Sequence, residues 1–220
     1  MATTKAAFVA FDLDGTLVDS LRDLAESANT LLLELGAAPL DEDAIGRMVG
    51  DGAATLVARV LAAVRHPPPP GALARFLEIY NARPLKHTRP YPGVATLLAA
   101  LEGRVKLAVL TNKPLAATRH ILDGLDLARY FAADRVVGGD GPFSRKPDPA
   151  GLQWLAAAES VPLDRTILVG DSPIDWRTAR HAGARICVAR YGFGSAGFVA
   201  GDLTADDWGI DSPLDLLTLL

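Results

Sequence analysis

Five short, nearly unbroken apolar runs punctuate the chain, at residues 6–11, 105–110, 135–137, 166–169 and 184–189. They are too brief for helices, and most are closed by Gly, Asp or Thr. Continuous apolarity, instead of alternation, predicts strands covered on both faces, as in a parallel sheet. Helical spacing fills the gaps between them. Val94, Leu97, Leu98 and Leu101 share one helix face, as do Leu152, Leu155 and Ala156, and the latter helix is announced by Asp148 as N-cap with Pro149 at its first position. Strand and helix in alternation predict an α/β fold with a doubly wound, Rossmann-like parallel sheet as its core.

One stretch breaks the alternation. Between Leu17 and Arg89 three helical patterns follow one another: Leu21, Leu24, Ala28, Leu31, Leu32 and Leu35; then Ile45, Val49, Leu56, Val60 and Leu61; then Leu73, Phe76, Leu77 and Tyr80. Roughly 70 residues without a strand are too many for one crossover. The pattern therefore predicts an inserted all-helical cap at residues 18–89, with a discontinuous core formed by residues 1–17 and 90–220. The four prolines at 67–70 read as a stiff connector between two cap helices.

With 220 residues, the chain is long enough to bury a sizeable core. A formal net charge of −4 excludes a broad basic field for nucleic acid, and no run of apolar residues is long enough to span a bilayer. The single cysteine, Cys187, excludes an internal disulfide, so the cytoplasm is the expected compartment. Oligomeric state is left open between monomer and homodimer, because the apolar faces serve a core or a dimer equally. The chain holds 20 Asp but 5 Lys, so a lone Asp motif says little and a lysine at a strand end says more.

Ligands of open α/β sheets collect at the carboxyl ends of the strands. The first predicted strand ends in Asp12-Leu13-Asp14-Gly15-Thr16, and the second in Thr111-Asn112-Lys113-Pro114, with a hydroxyl and backbone N–H groups for an anion. Lys146 lies in the loop after the third, and Asp171 and Asp175 follow the fourth. Four carboxylates at one sheet edge repel one another, and a divalent cation resolves the repulsion. Oxygen ligands without His or Cys favour Mg2+, shared with a substrate phosphate.

Four segments, DLDGTLVDS at 12–20, TNKP at 111–114, RKPDP at 145–149 and GDSPID at 170–175, together resemble the motifs of the haloacid dehalogenase superfamily, in order and across the whole chain. TNKP, PYPGVATLLAALEG at 90–103 and the cap stretch Val49-Gly50-Asp51-Gly52 resemble its phosphoglycolate phosphatase type. The resemblance implies that Asp12 is a nucleophile forming an aspartyl-phosphate and that Asp14 is the general acid and then base. It places Thr111 and Asn112 on the phosphoryl oxygens, with Lys146 neutralising charge. It assigns the metal to Asp12, the backbone carbonyl of Asp14 and Asp171, with Asp175 in support. Dehalogenases of the superfamily lack an Asp at the position of Asp14, so dehalogenation is rejected. In the cap, Arg47, Gly50, Asp51 and Gly52 are expected to face the phosphate site and set specificity, with Arg47 pairing with a substrate carboxylate.

The expected function is Mg2+-dependent hydrolysis of a small phosphorylated metabolite, with 2-phosphoglycolate as first candidate. A sugar-phosphate phosphatase or phosphomutase of the same superfamily is the alternative, and a non-catalytic binding protein the remote one. Gly192-Phe193-Gly194-Ser195-Ala196-Gly197 matches a dinucleotide fingerprint, but only 23 residues follow it, too few for the rest of that unit, and a loop beside the active site is expected there instead. The four histidines share no metal-ligand spacing, so zinc is not expected.

Overall fold

The computed structural model describes residues 6–198, 203–204 and 207–220; residues 1–5, 199–202 and 205–206 of the predicted core segments lie outside the described residues. In chain order the elements are β1 (Phe8–Phe11), β2 (Val18–Asp19), α1 (Leu21–Glu34), α2 (Glu42–Gly46), α3 (Ala53–Ala63), α4 (Ala72–Asn81), β3 (Arg89–Pro90), α5 (Val94–Leu101), β4 (Lys106–Leu110), α6 (Leu115–Gly124), β5 (Val136–Val137), α7 (Ala150–Ala158), β6 (Thr166–Gly170), α8 (Pro173–Ala182), β7 (Arg185–Ala189), β8 (Trp208–Ile210) and α9 (Leu216–Leu219).

Six strands form one parallel sheet in the order β5-β4-β1-β6-β7-β8. Alternate residues of β1 explain its unbroken apolarity. Val9 and Phe11 pack with Leu97 and Leu98 of α5 and Ile121 of α6, whereas Phe8 and Ala10 pack on the opposite face with Leu152 and Leu155 of α7 and Ala179 of α8. The chain leaves β1 for β4 and β5 on one side and returns to β6 on the other, so β1 stands at the topological switch point. Phe11 is in register with Val109 of β4 and with Val169 of β6. The residues that follow these three strands are therefore neighbours.

Helices α1 to α4 close a second core of their own, built on Leu31, Leu32, Ile45, Leu61, Phe76 and Tyr80. Its two connections to the sheet pair with each other: β2 and β3 are antiparallel, with Val18 opposite Pro90 and Asp19 opposite Arg89. Asp23, fully buried in the first turn of α1, accepts hydrogen bonds from the backbone of His87 at 2.9 Å and of Thr88 at 2.8 Å, and from the Thr88 hydroxyl at 2.7 Å.

Several expectations need correction. The second cap pattern is two helices, because Gly50 and Gly52 take φ of 120° and 90° and break it between Ile45 and Leu56. Leu73 is 38 % exposed, and Ala72 and Ile79 take the inward face of α4 instead. Helix α7 starts at Ala150, one residue later than expected, although the Asp148 carboxylate still accepts from the Ala150 N–H at 2.9 Å. The sheet also has a sixth strand: β8, a half-buried three-residue edge strand too short and too mixed to register as an apolar run.

Candidate active site

Asp12, directly after β1, is buried, and its Oδ1 accepts the Leu13 N–H at 2.7 Å and lies 2.9 Å from Lys146 Nζ. The same ammonium lies 2.6 Å from Asp175 Oδ1. The other oxygen of Asp175 accepts the N–H and the hydroxyl of Ser172, at 3.1 and 2.6 Å, and so fixes the first turn of α8. Asp171, after β6, is also buried, and its Oδ2 accepts the Gly194 N–H at 2.7 Å.

One ammonium therefore faces a group of buried carboxylates. Burial pushes the Asp12 carboxyl up to about 6; the nearby Lys146 opposes the rise and Asp175 adds to it. Burial, with Asp175 and Asp12 nearby, holds Asp171 well above the ordinary carboxylate range. Burial alone would lower Lys146, but the attraction of Asp12 and Asp175 outweighs it and raises the net value. Carboxylate oxygens of Asp12, Asp171 and Asp175 lie within 4.8 Å of one another. An all-oxygen donor set with surplus negative charge fits a divalent cation. The side chain of Asp14 is not in this group.

Asp14 turns instead toward Ser20 and Lys113. It accepts the Ser20 hydroxyl at 2.6 Å, and Lys113 Nζ lies 3.1 and 3.0 Å from its two oxygens. Lys113 is buried, and its ammonium lies 4.5 Å from the centre of the Tyr80 ring, which the cap supplies from α4. Burial works against the charge, yet Asp14 raises the Lys113 pKa and keeps it an ammonium. The Tyr80 hydroxyl is buried beside the same ammonium, without a hydrogen bond of good geometry.

Thr111 and Asn112 follow β4 and are buried beside Asp12. The Asn112 side chain is fully occupied: Nδ2 donates to the carbonyls of Gly50 and Lys146, both at 2.9 Å, and Oδ1 accepts the Lys146 N–H at 2.8 Å. What Asn112 can offer a phosphoryl oxygen is its backbone N–H.

A cavity of about 360 Å³ lies between cap and sheet. Asp12, Asp14, Thr111, Lys113 and Asp171 form its polar floor, and Gly50 and Gly52 reach it from the cap. Arg47 and Asp51 do not. Both line a separate cleft of about 160 Å³; Arg47 is exposed there and Asp51 pairs with Arg59 at 2.6 Å. The turn that brings the two glycines inward faces their charged neighbours outward.

Sequence reasoning missed two contributors. Ser20 and Tyr80 carried no chemical signal, since a helix-start serine and a helix-face tyrosine are ordinary. The segment of the rejected dinucleotide match is a loop against Asp171, where a Cβ on Gly192 or Gly194 would press on its carboxylate.

Residues 9–189 match the family described as haloacid dehalogenase-like hydrolase. A phosphoglycolate phosphatase of Rhodospirillum rubrum is 46 % identical over 194 residues, covering 84 % of this chain and 80 % of its own. One from Cereibacter sphaeroides is 40 % identical over 190 residues, covering 84 % and 85 %. A crystal structure from Haemophilus somnus, described as a predicted phosphoglycolate phosphatase, superposes with a TM-score of 0.88 at 28 % identity and 99 % coverage of both chains. The chain belongs to the haloacid dehalogenase-like hydrolases. It is an enzyme of their phosphatase class, a phosphoric monoester hydrolase. Among the described residues, no helix is long and apolar enough to cross a membrane.

Proposed function

We propose that the protein hydrolyses 2-phosphoglycolate to glycolate and phosphate, with Mg2+ as the cation. One observation carries the reading. A buried carboxylate, Asp12, sits beside Lys146 at 2.9 Å, while a second, Asp14, stands two residues on and outside the carboxylate group. The names of the relatives supply the substrate.

In the first step an oxygen of Asp12 attacks phosphorus as the phosphorus–ester oxygen bond breaks, and Asp14, ion-paired with Lys113 before substrate binds, passes to the leaving oxygen a proton it has first taken from solvent. In the second, water attacks the aspartyl-phosphate and its proton returns to Asp14. Phosphate leaves, and the Asp12 carboxylate is restored. Lys146 stays beside Asp12 through both steps and offsets charge on the transferring oxygens, with Thr111 and the N–H groups of its loop as further donors. Asp12 and Asp171, with the backbone carbonyl of Asp14, would hold the cation, and Asp175 would support it through Lys146 and Ser172. The cation's contribution is to neutralise charge on phosphate and nucleophile.

The helical cap, placed at residues 18–89, closes over the site and excludes water from it. The buried, unpaired Cys187 suits the reducing cytoplasm. The test is release of phosphate from 2-phosphoglycolate with and without Mg2+, beside glucose 1-phosphate as a comparison. The expected result is cation-dependent release that Asp12→Asn abolishes; activity surviving that substitution would remove Asp12 as nucleophile.

A further inference from the structure

The sequence pointed to Arg47 as the partner of a substrate carboxylate, but Arg47 is exposed in a cleft outside the cavity. The group that recognises the non-phosphate end of the substrate must lie elsewhere. Among the described residues lining the cavity, Lys113 is the only lysine or arginine. Lys146 is already shared between Asp12 and Asp175 beneath the floor. Much of the cap wall, including Leu24, Leu56, Phe76 and Leu77, offers nothing to an anion.

Position narrows the choice further. For Asp14 to protonate the leaving oxygen, that oxygen must come within about 3 Å of its carboxyl. Lys113 Nζ lies 3.0 Å from Asp14 Oδ2, so a group bonded to the carbon next to the leaving oxygen falls within reach of the ammonium. Tyr80 brings a second donor to the same place. Its ring covers Lys113 at 4.5 Å, and its buried hydroxyl lies beside the same ammonium without a hydrogen bond of good geometry. Buried polar groups are ordinarily paired, and an unpaired one beside a ligand cavity points to a partner that the ligand supplies.

We propose that Lys113, together with the Tyr80 hydroxyl, receives a carboxylate borne on the carbon adjacent to the ester oxygen, and that this pair makes the enzyme select 2-phosphoglycolate over neutral phosphomonoesters. The proposal rests on the phosphatase reading and adds the specificity-determining residues. Lys113 is the cation of the core, and Tyr80 is the part of the cap that completes the receptor only when the cap is closed. A neutral substrate leaves both donors without the anion, which is how a site built for hydrogen bonding rejects an analogue.

The experiment compares kcat/KM for 2-phosphoglycolate and for its neutral amide, which has the same size and a similar leaving group. The wild-type ratio is expected to exceed about 100. Lys113→Met lowers both values by disturbing Asp14, but the ratio itself collapses to within about threefold of one. Lys113→Arg recovers part of it. Tyr80→Phe, which keeps the ring over the ammonium, lowers the ratio about three- to tenfold, mainly through KM. Arg47→Ala leaves the ratio at the wild-type value. Should Lys113→Met fail to fold, Lys113→Arg and Tyr80→Phe carry the test. A wild-type ratio near one, with both esters hydrolysed, overturns carboxylate recognition and leaves the phosphatase standing. A ratio that survives at Lys113 and is lost at Arg47 returns the role to Arg47 and overturns the proposal. Hydrolysis of neither ester in the presence of Mg2+ overturns the phosphatase reading and the proposal with it.

Discussion

The side-chain amide of Asn112 donates to the backbone carbonyl of Gly50 at 2.9 Å, across the boundary between sheet and cap. The same amide holds both backbone groups of Lys146, so one residue ties the cap loop to the segment that presents the lysine beside Asp12. A cap that opens must break the first bond, and Lys146 keeps the other two.

Asn112→Ala removes all three bonds at once. The Lys146 backbone then loses its register, and misplacement of about 1 Å in a reacting group costs on the order of a hundredfold in rate. We expect kcat/KM for 2-phosphoglycolate to fall about 10- to 100-fold, with both kcat and KM affected. Limited proteolysis between residues 46 and 53 should accelerate in the same variant, reporting a cap loop released from the core. Unchanged proteolysis would mean that the cap is held by other contacts.

The group of buried carboxylates implies a measurable cost when no cation is bound. Like charges in a buried cluster disfavour one another, and Asp171 is held well above the ordinary range by burial and by Asp175 and Asp12. Asp171→Asn keeps an oxygen for the Gly194 N–H and removes one charge. Without divalent cations it should therefore melt several degrees above the wild type, since about 1 kcal/mol shifts Tm by ~2–4 °C for a chain of this size. Adding Mg2+ should reverse the order: the wild type gains about 2.7 kcal/mol at a hundredfold excess over Kd, and the variant gains little. Scanning calorimetry with and without chelator measures both.

Much of this arrangement was legible because strand-end chemistry is local. Asp12, Thr111, Lys146 and Asp171 each directly follow, or lie in the loop after, an apolar run, and a parallel sheet delivers such residues to one edge whatever the rest of the chain does. The cap was legible as an excess of helix but not in its detail. Which cap residues reach the cavity depends on the positive φ of Gly50 and Gly52, and that turn faces Gly50 inward while Arg47 stays outside. Tyr80 and Ser20 were invisible for a different reason: Tyr80 acts by touching Lys113, distant in sequence, and Ser20 by touching Asp14 across a tight turn six residues back, and no periodicity records either contact.

Asp23 anchors α1 to the segment that returns from cap to sheet. Burial alone would raise its pKa, but the N–H groups of His87 and Thr88 and the Thr88 hydroxyl outweigh that and hold it below the ordinary value. A carboxyl with a lowered folded pKa stabilises the protein above its unfolded value of about 3.9, and that contribution is lost as pH falls through the folded value. Asp23→Asn should therefore cost about 1.5–3 kcal/mol at pH 7, the range for hydrogen bonds to a charged group. The deficit should shrink as pH falls below about 4. Urea titrations of both proteins from pH 3 to 7 would show the two curves converging at the acid end.

Gly15 tests how closely the first motif is fitted to the fourth. It adopts φ of +84°, and a Cβ at that position would overlap the Asp171 carboxylate. Gly15→Ala faces two penalties: about 1–3 kcal/mol for a non-glycine residue in this backbone region, and displacement of Asp171 from Asp12. The second matters more for function, because a cation held between those two carboxylates depends on their spacing. Calorimetric titration with Mg2+ should show binding weakened at least about tenfold in the variant, with phosphatase activity at low Mg2+ lost in proportion and partly restored at high Mg2+. Full activity at low Mg2+ in a folded Gly15→Ala protein would show that Asp171 can move away from Gly15 without loss, and that its position is not what holds the cation.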